Sequence, residues 1–373
     1  MADSKKNMPY VRLGNSGLKV SKIILGCMSY GTPEWQGWVL DEAESLKHIK
    51  AAYVNTAYLL LAIHQTDNLS ALCTCLDRYD AGINTFDTAN AYSNGLSEVI
   101  LGKAIKEYKL PREEIVVLTK LFFIVGRTPG ESLRSVTNPD QAGYVNQRGL
   151  SRKHIFDSVK KSLERLQLDY IDVLQCHRFD NDTPIEETMQ ALHDVVKAGW
   201  VRYIGMSSCH AWQFSAMQNY AINNKLTPFI SMQNHYNLIY REEEREMFPT
   251  LKWFGVGSIP WSPIARGLLC RPLTESTIRK ETDQFQKGYT VDSPATQEII
   301  KRVEEIAKKK GASMAQISLA WVMSKPGVTA PIVGTTSLNN LHDLIGAVNV
   351  ELTEEEIKQL EEAYQPVAIF GHT

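Results

Sequence analysis

The chain has 373 residues, with 40 Lys and Arg against 42 Asp and Glu, and a formal net charge of −2. That balance gives no electrostatic case for a nucleic acid or an anionic membrane surface as partner. The opening MADSKKNMPY lacks an apolar secretory core, and the longest uncharged apolar run, TAYLLLAI, falls far short of the ~20 residues that span a bilayer, so a cytoplasmic protein with no membrane partner is expected.

The first element is a hairpin, YVRLGNSGLKVSKI, turned between Gly14 and Gly17. Eight short apolar runs follow, at 23–28, 83–89, 115–120, 170–177, 201–208, 228–236, 257–263 and 330–335. They are continuous in Val, Ile, Leu and Phe, which suits strands buried on both faces of a parallel sheet. Between them lie segments with helical spacing of apolar residues, among them SEVILGKAIKEY, SRKHIFDSVKKSLERLQ, PIEETMQALHDVVKAG and MAQISLAWVMS, with Ser151 and Gly199 as cap signals. No G-x-G-x-x-G follows an early strand. The pattern predicts an α/β protein, a single domain over residues 1–373 forming a (β/α)8 TIM barrel with an N-terminal β-hairpin. TEEEIKQLEEAYQP, with a capping box at Thr353 and Glu356, reads as an extra C-terminal helix outside the barrel. Long loops at 122–149 and 265–294 follow strands three and seven and are expected to cover the catalytic face.

One segment breaks the alternation. Residues 53–78 separate the helix ESLKHIKAA from YDAGINTFDTA, where a connection of a few residues is expected. A surface insertion is one origin, since loop-closure entropy grows slowly with length. A translated intron is another: Ala52-Tyr53-Val54 can be written GC-GTAYGTN and Asp77-Arg78 GAY-AGR, so excision between the GT and AG boundaries restores Ala-Tyr-Asp-Ala-Gly. The inserted residues fall on the stability face of the barrel, where they threaten folding, and a non-functional product, more than chemistry.

Six cysteines, at 27, 73, 75, 176, 209 and 270, are scattered, and the Cys73-x-Cys75 spacing suits neither zinc nor a redox pair. Reduced thiols without a chemical role, and no metal, are expected.

Chemistry concentrates at strand ends. Asp87 and Tyr92 follow the second strand, Lys120 closes the third, and His177 closes the fourth. A barrel directs such residues toward one mouth. Reduction of a carbonyl by hydride transfer builds charge on oxygen and needs a proton donor beside it. Tyr92 is the expected donor. An unperturbed phenol, with a pKa of ~10, needs a neighbouring cation to work near neutrality, and Lys120 supplies one. Asp87 pairs with Lys120 in the barrel mouth, and His177 hydrogen-bonds the carbonyl oxygen and orients the substrate. Taken singly, each has a plainer reading as a packed aromatic, a solvated lysine or a core histidine; in this order on consecutive strands they form a set.

That set resembles the aldo-keto reductase family, most closely its fungal aryl-alcohol-dehydrogenase-like members, over nearly the whole chain: FDTANAYSNGLSE carries the family's Asp-x(4)-Tyr, LTK its lysine and QCHRFD its histidine. The resemblance implies an NADP(H)-dependent oxidoreductase that interconverts aldehydes or ketones and alcohols. It further implies nicotinamide contacts at Ser207, Ser208 and Gln233, with Ser208 standing where Asn is commoner. Trp261 would stack on the nicotinamide. Ser262, Pro263, Ile264, Gly267 and Leu268 match the loop around the pyrophosphate. Gly334, Thr335, Ser337 and Asn340 match positions around the adenosine 2′-phosphate at a helix start, although Ser337 also reads as an ordinary N-cap. Thr336 and Ser337 stand where many relatives have Lys or Arg. Arg266 or Arg271 would then supply the missing charge, and NADH stays open beside NADPH.

Trp35, Trp38, Phe122, Phe123 and His210 to Trp212 are expected to wall a pocket for apolar or aryl carbonyl compounds. A second class of function is also open, since some family members, such as potassium-channel β subunits, bind NADPH and regulate a partner protein.

Overall fold

The computed structural model describes residues 8–53, 81–133, 136–275, 283, 289 and 291–372. The expected insertion lies outside the described residues apart from Tyr53, as do Cys73 and Cys75.

Strands β1 (Tyr10–Arg12) and β2 (Lys19–Ser21) pair antiparallel as the hairpin. Eight parallel strands then alternate with helices. They are β3 (Ile24–Gly26), β4 (Thr85–Asp87), β5 (Val116–Leu121), β6 (Ile171–Cys176), β7 (Val201–Ser207), β8 (Phe229–Gln233), β9 (Gly257–Ser258) and β10 (Ile332–Val333), hydrogen-bonded in the order β10-β3-β4-β5-β6-β7-β8-β9. Backbone bonds from Thr329 N to Ser258 O (2.8 Å) and Ile332 N to Pro260 O (2.9 Å) join the two ends, so the sheet is the expected (β/α)8 barrel.

The outer layer consists of α1 (Glu42–Tyr53), α2 (Leu96–Glu107), α3 (Arg152–Leu166), α4 (Ile185–Lys197), α5 (Ala211–Asn223), α6 (Met247–Phe254), α7 (Pro294–Lys310), α8 (Met314–Ser324) and α9 (Leu338–Ile345). A last helix, α10 (Glu354–Glu361), packs on α7 outside the barrel. Its Thr353–Glu356 capping box is formed, and Ser151 caps α3 by accepting from His154 N, so local sequence signals set these boundaries. Among the described residues no helix is long and apolar enough to cross a membrane.

Strand parity divides the core. Val117 and Leu121 face the helices, whereas Val116 and Leu118 face inward with Ile24, Val173, Ile259 and Ile332. Leu13 and Val20 of the hairpin join that inner cluster and plug the barrel's lower end. Two residues up from Leu118 the same parity delivers Lys120, and two up from Val173 it delivers Gln175. The interior thus turns from apolar to polar toward the strands' C-terminal ends. Gly205 keeps the space open there, because a Cβ on it would stand 2.3 Å from Ser231 Oγ and 3.3 Å from Gln175 Cγ.

At the opposite face, Ile83 N donates to Ala52 O at 3.0 Å, so the two flanks of the unexpected segment meet directly. Gly82 between them has φ +64°, a left-handed conformation suited to glycine.

Candidate active site

Asp87 ends β4, and the chain then turns through Tyr92 into a short 3₁₀ segment before α2. Ser93 and Asn94 both take positive φ there (44° and 49°). Asn94 ties this turn to the loop after β5: its Nδ2 donates to Thr128 O (2.9 Å) and Glu131 O (2.9 Å), and its Oδ1 accepts from Gly126 N. The turn that presents Tyr92 is therefore clamped from outside.

Lys120 is fully buried, and its ammonium has three donors and three partners: Asp87 Oδ2 at 2.6 Å, Thr88 O at 2.9 Å and Tyr92 Oη at 3.0 Å. Burial alone would lower its pKa, but Asp87 and Tyr92 together outweigh burial and hold it above its ordinary value. Asp87 is fixed in turn. Its Oδ1 accepts from Gln175 Nε2 (2.9 Å) and Gln233 Nε2 (2.8 Å), while Gln233 Nε2 also reaches Gln175 Oε1 (2.9 Å). Gln175 was not expected in the site; its parity with Val173 was the signal available.

His177 packs edge-on against Tyr92 (ring centroids 5.8 Å apart) and against Phe123 (5.0 Å). Burial first, then the charges of Lys120 and Arg178, push its pKa well below 6.5, so the imidazole is neutral at physiological pH. Its Nδ1 is buried with no hydrogen-bond partner among the described residues.

A cavity of about 1600 Å³ opens in front of these groups. Asp87, Tyr92 and His177 line it, with Lys120 immediately behind Tyr92. Of the expected cofactor contacts, Ser207, Gln233, Trp261, Ser262, Pro263, Ile264, Gly267, Arg271, Gly334, Thr335 and Asn340 also line it. Ser208, Leu268 and Ser337 lie elsewhere. Ser208 is fully buried at φ 46° and accepts from Trp261 Nε1 (2.9 Å), so it holds the indole from behind. Leu268 is buried under its own loop, and Ser337 caps α9 by accepting from Asn340 N.

Trp261 is fixed by more than that bond. Its ring stacks on His235 (4.1 Å, 9°), and His235 stacks in turn on Tyr240 (4.1 Å, 16°). Both arginines line the cavity but differ in pairing: Arg266 is bonded to Asp283 at 2.7 Å in a buried bridge, whereas the Nε of Arg271 is buried and unpartnered among the described residues.

On the substrate side, Trp35, Trp38 and Phe123 line the cavity, joined by Ile124, Leu133 and Val136. Phe122 is packed behind Phe123, His210 meets His372 edge-on, and Trp212 is 65% exposed against Phe179, so these three do not wall it. The chain's end does reach the cavity, unexpectedly. Gly371 and His372 line it, Phe370 packs on His235 and Trp261, and His372 pairs with buried Glu243 at 3.2 Å. Burial pushes the thiols of Cys27, Cys176 and Cys209 up, which keeps them unreactive.

A parallel eight-stranded barrel with a hydrogen-bonded Asp–Lys–Tyr chain at its C-terminal mouth, its Asp and Lys buried, suits a barrel oxidoreductase. Sequence comparison agrees: the profile of the Aldo/keto reductase family matches residues 60–365, and the chain belongs to that family. It is 49% identical over 371 residues to a versiconal hemiacetal acetate reductase of Aspergillus parasiticus, covering 97% of this chain and 98% of the relative. A candidate aryl-alcohol dehydrogenase of Schizosaccharomyces pombe is likewise 49% identical, over 97% of both chains. An aldo-keto reductase, dtxS3, of Metarhizium robertsii is 44% identical over 99% of this chain and 95% of its own. The protein is thus an oxidoreductase of the aldo/keto reductase family, acting on small carbonyl compounds with a nicotinamide cofactor.

Proposed function

We propose that the protein reduces aryl and other apolar aldehydes or ketones with NADPH, and that Tyr92 delivers the proton. The observation that carries this reading is the contact between the Lys120 ammonium and the Tyr92 oxygen at 3.0 Å, with Lys120 locked to Asp87 at 2.6 Å and wholly screened from water. A bound reduced nicotinamide supplies the hydride. As charge builds on the substrate oxygen, Tyr92 gives up its proton, and the ammonium stabilises the phenolic oxygen left behind. Asp87 keeps that ammonium in place, and Gln175 with Gln233 keeps Asp87 in place. Neutral His177 is suited to donate one N–H to the carbonyl oxygen, which orients it toward Tyr92.

The cavity fits the cofactor. Ser207 and the Gln233 amide line it, the Trp261 indole offers a flat face held by His235 and Ser208, Thr335 and Asn340 flank the start of α9, and Arg271 is also on the cavity wall. Arg271, whose charge no described carboxylate neutralises, suits a 2′-phosphate and favours NADPH over NADH; Arg266 is already committed to Asp283. The aromatic wall of Trp35, Trp38 and Phe123 suits flat substrates, in keeping with relatives named for aryl alcohols.

The decisive test is Tyr92→Phe assayed with 4-nitrobenzaldehyde. We expect kcat to fall by about 10²–10⁴, the range for a lost general acid, with NADPH affinity retained; unchanged kcat would remove Tyr92 from its role. Arg271→Ala should raise KM for NADPH but not for NADH, and equal wild-type KM values for the two would reject a dedicated phosphate site.

A further inference from the structure

The residue after His177 has no part in the reaction described so far. Arg178 lines the cavity beside Tyr92, His177 and Phe123. Its Nη1 donates to its neighbour's carbonyl, His177 O, at 2.6 Å, and its Cζ lies 5.7 Å from the centre of the Phe123 ring. Three other arginines largely withdrawn from water each have a carboxylate: Arg112 has Asp172 at 2.6 Å, Arg165 has Glu98 at 2.6 Å and Arg266 has Asp283 at 2.7 Å; Arg271, assigned above to the cofactor phosphate, has none among the described residues. Arg178 has none within 4.0 Å among the described residues. Of the aspartates that line the cavity, Asp87 is already bound by Lys120, Gln175 and Gln233, and Asp343 accepts from Ser313 Oγ at 2.6 Å.

The charge balance of the mouth follows. Beside the reacting groups Lys120 and Asp87 cancel, His177 is neutral, and Arg178 leaves a positive charge with no carboxylate partner among the described residues. That charge is partly stripped of water: burial is the chief reason its pKa falls from 12.5 to about 10, although it stays protonated at neutral pH. A half-desolvated guanidinium without a counter-ion is unfavourable, and its planar fork matches an anionic oxygen pair better than any other ligand.

On the reductase reading above, we propose that the natural substrate is an aromatic carbonyl compound bearing an anionic oxygen, a carboxylate or an ionised phenol, which Arg178 binds while Tyr92 and His177 engage the carbonyl. The apolar wall of Trp35, Trp38, Phe123, Leu133 and Val136 takes the ring. The anionic group lies beside His177 and Phe123, where Arg178 is held.

The test compares kcat/KM for 4-formylbenzoate with that for its methyl ester, and for 4-hydroxybenzaldehyde above its phenol pKa with that for 4-methoxybenzaldehyde. We expect the wild type to prefer the anion of at least one pair by about ten- to a hundred-fold, the range for a hydrogen bond to a charged group; which pair responds tells carboxylate from phenolate. Arg178→Gln should bring the ratio to near one, with Arg178→Lys between. A wild-type ratio near one for both pairs overturns the proposal. So does an equal loss on charged and neutral substrates in Arg178→Gln accompanied by a shifted pH profile of kcat, which would make Arg178 a support for Tyr92 instead. If the glutamine variant does not fold, the wild-type ratios decide. If no aldehyde is reduced, the reductase reading itself fails, and calorimetric binding of benzoate against methyl benzoate still judges the Arg178 site.

Discussion

The segment at 53–78 can be tested by removing it. Deleting these 26 residues leaves Ala52-Tyr79-Asp80-Ala81-Gly82-Ile83, so a tyrosine again follows Ala52. In that numbering Ile83 N bonding to Ala52 O at 3.0 Å is the six-to-one bond of a Schellman cap, and Gly82 at φ +64° occupies its left-handed position. The apolar contact that accompanies this cap is available too, because Ala52 and Ile83 are both fully buried in the main core. The flanks therefore already have the geometry of a helix end closed by four residues. Thirty residues now lie between Ala52 and Ile83, and shortening that connection to four lowers its closure cost by about 1.8 kcal/mol on the logarithmic loop law. At roughly 2 °C per kcal/mol for a large domain, Tm should rise by a few degrees. The junction lies at the face opposite the catalytic mouth, so kcat/KM should stay within about two-fold. The assay expresses both lengths in parallel and compares soluble yield, thermal unfolding and turnover. A shortened protein that is less stable, insoluble or inactive would refute the reasoning, because the Ala52–Ile83 contact would then depend on the residues removed.

Two further outcomes follow from the buried charges. Lys120→Met should destabilise by about 3 kcal/mol, the lower end for breaking a buried pair, because Gln175 and Gln233 still donate to Asp87; it should also abolish turnover, and a fully stable variant would contradict the burial of this pair. Stability should also fall in mild acid. His48, His154, His177 and His235 all have pKa values below 6.5 in the fold, in each case chiefly through burial. The unfolded chain therefore binds more protons below about pH 6.5, and stability present above that pH is lost as pH drops through it. Urea midpoints measured from pH 8 to pH 5 should decline with a slope of more than one proton, and a flat profile would argue that these histidines are not buried neutral.

The eight-fold alternation was legible because a buried parallel strand needs a continuous apolar run and a surface helix needs a 3.6-residue stripe, and both are local properties of IVVLTK or SRKHIFDSVKKSLERLQ. Caps at Ser151, Thr353 and Ser337 were legible for the same reason: a side chain bonding an amide three residues on is a short-range event. Asp87, Tyr92, Lys120 and His177 could be named from strand ends, since a barrel sends all such ends to one rim. Contacts between residues distant in sequence were not legible. Gln175 and Gln233 meet at Asp87 across 88 and 146 positions. Ser208 turns toward the indole of Trp261, His235 lies between Tyr240 and Trp261, and Arg266 finds Asp283 while Arg271 does not. Phe370, Gly371 and His372 return to the mouth from the far end of the chain. Local propensity places a residue on an element and a face, but which partner meets it depends on how strands stagger and where loops cross, and only the closed barrel settles that.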